Sequence, residues 1–159
     1  MDFRETTVAE LAARVRAKEV AARELTQAAL ERIEALNPQV NAFVAVDGEA
    51  ALRDAAAVDE LVAAGEDPGP LAGIPIGVKD LEDAAGFVTS MGSATRAGDR
   101  PASADSILVS RLRAAGCVVV GKTNTPEFGI TGDTENPTFG ATRNPWELGH
   151  SAGGSSGGT

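Results

Sequence analysis

Two segments of the sequence carry side chains that can transfer protons. The first is Lys79, which follows the largely apolar run IPIGV and precedes Asp80. The second is GGSSGG, residues 153–158, where Ser155 and Ser156 stand between glycines. A neutral lysine amine can act as a general base, and a serine hydroxyl can pass a proton or attack a carbonyl carbon. These residue types therefore raise the question of Ser/Lys acyl-transfer chemistry.

Lys79 has two interpretations. A lysine at the end of a strand can pack its methylene stem and keep its ammonium in water, without any chemical role. A lysine that acts as a base must be neutral, yet at its usual pKa near 10.4 fewer than about one molecule in a thousand is neutral at pH 7. Burial and nearby positive dipoles would have to lower that pKa by about 3.

The glycine-serine segment also has two interpretations. It can be a flexible linker, or a tight loop in which missing side chains allow unusual dihedrals and close approach of the backbone. The preceding residues NPTFGATRNPWELGHSA combine Pro, Trp, Phe and Asn, whereas a Gly/Ser linker repeats with little else. This context favours a structured loop.

Alternating helical and strand patterns are expected to position these residues. The sequence predicts a helix capped by Thr7 and Glu10, a helix from about Ala22 to Leu36 ending at Asn37-Pro38, a strand in NAFVAV, an Ala-rich surface helix over 48–64, a strand in IPIGV, a helix in ADSILVSRLRAAG and a strand in CVVVGKTN. From Pro126 onward the chain is expected to be loop-like. The strand-helix-strand order predicts an α/β fold with a mixed, mostly parallel sheet and helices on both faces.

Composition narrows the class of protein. Hydrophobic residues make up 43% and charged residues 23% of the 159 residues, which are globular proportions, and no run approaches the roughly 18 apolar residues of a membrane span. The net charge of -9 argues against nucleic acid as a partner. The N-terminus MDFRETT lacks the features of a secretory signal, and Cys117 is the single cysteine, so a cytoplasmic setting is expected.

Two further motifs are weaker. His150 is the single histidine and precedes the glycine-serine segment, but no acidic residue at a matching place would orient it, so a structural or solvent role is favoured. The segment GKTN from Gly121 lacks the GxxxxGK[ST] pattern of a phosphate loop, so nucleotide binding is not expected.

Three ordered segments together resemble the amidase signature family. They are PLAGIPIGVKD, GCVVVGKTNTPEFG and ENPTFGATRNPWELGHSAGGSSGG, and the resemblance extends over the whole chain. It implies an incomplete amidase-signature fold in which residues 1–159 form the N-terminal part of one domain, with 1–66 mostly helical and 67–159 an α/β segment.

The resemblance also implies the roles of individual residues. Members of this family use a Ser-cisSer-Lys set, in which Lys79 would be the base and Ser155 the bridging serine, preceded by a cis peptide bond from Gly154. Ser156 would be a supporting hydroxyl, and Gly129 would line the acyl pocket, although a turn glycine is an equal interpretation. This chemistry requires no metal or cofactor.

The implied activity is hydrolysis of carbon-nitrogen bonds in small amides. The family's nucleophilic serine is expected beyond Thr159, so the chain as given is expected to be inactive. Two alternatives stay open: the glutaminase subunit of a tRNA-dependent amidotransferase, and a non-catalytic binding or structural domain. The first is distinguished by its need for a partner protein, and the second by the separation of Lys79 and Ser155. The oligomeric state is not fixed by the sequence, and a homo-oligomer is one option.

Overall fold

A computed structural model describes residues 3–158, so Met1, Asp2 and Thr159 lie outside the described part of the chain. Its regular elements are a 3-10 helix at Phe3–Glu5, α1 at Val8–Arg16, α2 at Ala22–Val40, β1 at Phe43–Val46, α3 at Gly48–Ala64, β2 at Pro75–Lys79, α4 at Ile107–Ala114, β3 at Val118–Thr123, a 3-10 helix at Glu127–Gly129, β4 at Arg143–Asn144 and β5 at Glu147–Ser151. All the elements predicted before Pro126 are present.

The chain divides into two compact units. Among the described residues, the first contains 3–32, Asp47–Ile76 and Ser110–Val120, and the second contains Ile33–Val46, Gly77–Val109 and 121–158. All the residues singled out for chemistry belong to the second unit.

Helix α1 in the first unit begins with the predicted capping box. The Thr7 hydroxyl accepts a hydrogen bond from Glu10 N at 3.2 Å, and the Glu10 carboxylate accepts one from Thr7 N at 2.8 Å. This reciprocal cap satisfies two backbone donors that a helix start leaves unpaired. The helix buries Leu11 and Val15. In the same unit α3 buries more than its surface-helix prediction suggested, through Ala51, Ala55, Val58 and Val62.

Three strands form a mixed sheet in the order β1-β3-β2. β1 pairs with β3 antiparallel, with Phe43 opposite Thr123 and Val46 opposite Gly121. β2 and β3 run parallel, because Ile74 O accepts from Val118 N at one end and Asp80 N donates to Thr123 O at the other. All six residues of the central strand β3 are buried, so both faces of this strand are covered. The α/β class and the mixed sheet are therefore confirmed.

The predicted end of α2 at Asn37-Pro38 is wrong, because the helix continues to Val40 with Pro38 inside it. A proline removes one backbone donor, but here it stands in the last turn, where little helix remains to be disrupted. The Asn37 side chain accepts from Phe43 N at 2.7 Å and donates to Phe43 O at 2.9 Å. These two bonds join the helix end to the start of β1.

The loop predicted from Pro126 onward contains regular structure that the sequence did not indicate. β4 and β5 form an antiparallel hairpin. All five residues of β5 are exposed, so its sequence has no reason to alternate between polar and apolar residues. Asn144 begins the turn by accepting a hydrogen bond from Trp146 N at 2.9 Å.

Candidate active site

Lys79 and Ser155 meet although 76 residues separate them in sequence. Lys79 is the last residue of β2, and its Nζ lies 2.6 Å from Ser155 Oγ. Both side chains are half-buried. Burial lowers the pKa of the Lys79 amine, because removing an ammonium from water disfavours its charged form. A short contact between a hydroxyl and an amine of lowered pKa is the arrangement that proton transfer needs.

The glycine-serine segment is a structured loop rather than a linker. The peptide bond between Gly154 and Ser155 is cis, in agreement with what the family resemblance implies, and Gly153 has φ of +82°. A Cβ on Gly154 would stand 2.7 Å from Asp133 O, too close for a side chain. Gly158 is buried and donates from its N to Asn124 O at 3.4 Å. Close backbone packing therefore explains the glycines at 154 and 158, whereas the positive φ explains Gly153.

A buried ion pair lies next to Lys79 along the chain. Asp80 Oδ1 is 3.0 Å from Lys122 Nζ, and the two side chains are 2% and 0% exposed. Lys122 also donates to Glu82 O at 2.8 Å and to Thr89 Oγ1 at 3.0 Å. The Asp80 carboxylate accepts from the backbone N of Ser90 at 3.2 Å and from the Ser90 hydroxyl. The pair thus ties the segment that follows β2 to the central strand β3.

The sequence motifs did not indicate this pair. A signal was nevertheless available, because a lysine within the buried run CVVVGKTN needs an anionic partner. Asp80, which alternation along the strand directs away from Lys79, supplies that partner.

Two residues near the site adopt backbone conformations that side chains rarely take. Met91 has φ of +56° and Phe128 has φ of +54°. They are joined directly, since Phe128 N donates to Met91 O at 2.8 Å, and Met91 N in turn donates to Asp80 O at 3.0 Å. Non-glycine residues with positive φ cluster at functional sites, so both positions are candidates for a functional role.

The residues predicted to contact substrate differ in their surroundings. Gly154 and Ser156 are exposed on the loop that carries Ser155. Gly129 has φ of +70°, and a Cβ there would lie 2.6 Å from Leu81 Cδ1, so the local geometry favours glycine with or without a role in binding. The substrate-binding roles of all three stay predictions. His150 is exposed on β5.

The described residues form neither a cluster of metal ligands nor a membrane-spanning helix. Within residues 3–158, no group of three or more His, Cys, Asp or Glu side chains could hold a metal ion. None of the helices formed by these residues has the length and hydrophobicity that a membrane crossing needs.

The fold and the 2.6 Å Lys79–Ser155 contact define an α/β protein that carries a half-buried Ser/Lys pair. The sequence profile of the family described as Amidase matches residues 24–159, and this chain belongs to that family. The resemblance identified from the three sequence segments is confirmed.

Individual relatives cover nearly all of the chain. It is 48% identical over 158 residues to a glutamyl-tRNA(Gln) amidotransferase subunit of Acidothermus cellulolyticus, covering 99% of this chain and 31% of that protein. It is 45% identical over 147 residues to an acylamidase of Rhodococcus erythropolis, covering 92% and 31%. The crystal structure of the peptide amidase from Stenotrophomonas maltophilia superimposes with a TM-score of 0.88 and 43% identity, over 97% of this chain and 33% of that one. The chain therefore spans about a third of the length of these relatives.

Proposed function

We propose that residues 1–159 supply the base and the proton relay of an enzyme that hydrolyses amide bonds. The observation that carries this proposal is the 2.6 Å separation of Lys79 Nζ and Ser155 Oγ in a member of the amidase family. The lowered pKa of Lys79 supports it further, because a base must be neutral before it can accept a proton. The alternative of a non-catalytic domain predicts no such contact.

In the proposed mechanism Lys79 begins neutral and Ser155 bridges it to a nucleophilic serine. As the nucleophile's oxygen bonds to the amide carbon, its proton passes to Ser155, and the Ser155 proton passes to Lys79. The path then reverses: the proton returns through Ser155 to the nitrogen, the carbon-nitrogen bond breaks and the amine leaves. Water attacks the resulting acyl-enzyme by the same relay and releases the acid.

The nucleophile is proposed to lie in sequence that follows residue 159. In this family it belongs to a motif with glycines that supply oxyanion-hole donors, and that motif is expected some two dozen residues beyond the bridging serine. The relatives' greater length is compatible with this proposal. Residues 1–159 alone are accordingly proposed to be inactive.

A serine-directed fluorophosphonate probe tests whether the nucleophile lies in sequence that follows residue 159. It should label a protein that continues through the downstream motif and leave the 159-residue chain unlabelled. In the longer protein Lys79→Met should reduce turnover of an amide about 10²–10⁴-fold, the usual contribution of general acid-base catalysis. Lys18→Met is the matched control, because Lys18 is an exposed lysine. Wild-type turnover by the Lys79→Met variant would refute the proposal.

A glutaminase that works within an amidotransferase is a second candidate, favoured by the 48% identity to the Acidothermus protein. A direct acylamidase is supported by nearly equal identity to the Rhodococcus enzyme. The two candidates differ in substrate and partner. Ammonia release from glutamine that depends on added partner proteins would select the first, whereas partner-independent cleavage of N-acyl amides would select the second.

A further inference from the structure

Two buried threonines contact the loop that carries Ser155. The Thr125 hydroxyl donates to Ser155 O at 3.1 Å. The Thr134 hydroxyl donates to Gly153 O at 2.7 Å and accepts from Gly157 N at 3.1 Å. Both threonine residues are 0% exposed. Three backbone groups of one short loop are thus bonded by two side chains from outside it.

These contacts compensate for what the loop's own sequence lacks. A run of glycines has no side chains of its own to fix its backbone, and its conformational entropy when free is large. No strand or helix includes the residues of these three groups, Gly153 O, Ser155 O and Gly157 N. The two hydroxyls instead bond the loop on both sides of Ser155 and at Ser155 itself.

Both threonines are themselves held firmly. Thr125 O accepts from the Asn136 side chain at 2.8 Å, and Thr125 N donates to the Asn124 side chain at 3.0 Å. Thr134 O accepts from Thr142 N at 2.9 Å. Each hydroxyl therefore projects from backbone that is already fixed, which is the condition for transmitting position to the loop.

We propose that Thr125 and Thr134 are positioning residues that hold Ser155 Oγ within reach of Lys79 Nζ. This inference rests on the proposed relay. Thr125 fixes the carbonyl of Ser155 itself. Thr134 fixes Gly153 and Gly157, which lie two residues before and two residues after Ser155. A misplacement of about 1 Å in a catalytic group can cost about 10²-fold in rate, so loss of either hydroxyl has a catalytic consequence.

The test compares threonine variants that differ by a hydroxyl, in a protein that includes the downstream nucleophile and cleaves an amide. Thr125→Val, which keeps the shape and removes the hydroxyl, should lower kcat by about 10- to 100-fold and leave KM within about twofold. Thr125→Ser, which restores the hydroxyl, should recover kcat to within a few-fold of wild type. Thr134→Val and Thr134→Ser should behave as a second such pair.

The control is Thr26→Val, because Thr26 is 0% exposed and its hydroxyl has no hydrogen-bond partner among residues 3–158. This variant should keep wild-type kcat. Thermal unfolding of each variant shows whether it is folded, and Thr125→Ala replaces Thr125→Val if the valine does not fold. Wild-type kcat in the folded hydroxyl-free variants would overturn the inference, as would a serine variant no better than the valine.

Failure of the inference can be told apart from failure of the proposed function by including Ser155→Ala. If Ser155→Ala keeps wild-type kcat, the relay itself is wrong. If Ser155→Ala is inactive while the Thr125 and Thr134 valine variants keep wild-type kcat, the relay stands and the positioning role is refuted.

Discussion

Lys122 and Asp80 form an ion pair whose two side chains are almost completely removed from solvent, with Nζ and Oδ1 3.0 Å apart. Breaking such a pair leaves an uncompensated buried charge, which usually costs about 3–5 kcal/mol of stability. We therefore expect Lys122→Met to lower the free energy of unfolding of the protein by about that amount. Denaturant titration followed by circular dichroism measures it.

The matched control for this prediction is an exposed ion pair. Arg53 and Glu49 are 3.9 Å apart with side chains 70% and 94% exposed. Arg53→Met should change the free energy of unfolding by less than about 0.5 kcal/mol. Adding Asp80→Leu to Lys122→Met should recover part of the lost stability, since no buried charge then remains unpaired. Equal effects of the Lys122 and Arg53 substitutions on the free energy of unfolding would contradict the prediction that the buried pair costs more to break than the exposed one.

The pH dependence of activity follows from the lowered pKa of Lys79. As the proposed base, Lys79 would work in its neutral form, so kcat/KM should rise as the pH increases through the pKa of its amine. Because burial lowers that pKa, the rise should have its midpoint below the value of about 10.4 usual for lysine. A pH-rate profile of a longer protein that includes the proposed nucleophile measures the midpoint. A midpoint at or above about 10.4 would contradict a desolvated base.

The same pKa shift predicts a cost in stability. The folded state binds fewer protons at Lys79 than the unfolded chain between the folded and unfolded pKa values, so stability rises with pH across that window. Below the folded pKa the penalty for burying the ammonium is present in full. Lys79→Met should therefore be more stable than wild type near pH 7, and this advantage should shrink as the pH approaches about 10.4.

Denaturant titrations of wild type and Lys79→Met at several pH values between about 7 and 10.4 test this prediction. The change of the difference with pH is the decisive quantity, because the greater hydrophobicity of methionine adds an offset that does not depend on pH. A difference that stays constant across the range would show that burial of Lys79 does not penalise its charged form.

Local sequence patterns were sufficient for most of the fold. The capping box at Thr7, the Ala-rich helix and the apolar strands are each encoded within a few neighbouring residues, and they appear at nearly the predicted bounds. The exceptions have physical causes. Pro38 stands in the last turn of α2, where its missing donor matters little. In the β4–β5 hairpin all residues of β5 are exposed, so this strand lacks the alternation that identifies strands.

The site was harder to predict than the fold, because its contacts join distant parts of the chain. Nothing local to Lys79 indicates that its partner is 76 residues away, and only the ordered family motifs suggested it. The pairing of Asp80 with Lys122 and the bonds from Thr125 and Thr134 depend on sheet order and loop packing, which residue patterns do not encode. A buried charge or hydroxyl shows that a partner is needed, not which residue supplies it.

The last prediction concerns Gly154, whose place in the loop depends on close backbone contact. A Cβ there would lie 2.7 Å from Asp133 O and 2.8 Å from Asp133 C, so Gly154→Ala must shift either the loop or the backbone at Asp133. Forcing atoms into a packed region typically costs about 1–3 kcal/mol. We expect a loss of stability of that size, together with a fall in amide turnover because Ser155 is the next residue.

Gly132→Ala is the matched control, since a Cβ at Gly132 would meet nothing within 4 Å. This variant should stay within about 1 kcal/mol of wild-type stability, because open space accepts a methyl group and the unfolded chain loses entropy. Denaturant titration gives the two stabilities, and amide turnover by a longer protein that includes the proposed nucleophile gives the two activities. If Gly154→Ala matched Gly132→Ala in both stability and turnover, the loop would have space for a methyl group at residue 154. Close backbone packing would then not be what holds Ser155 near Lys79.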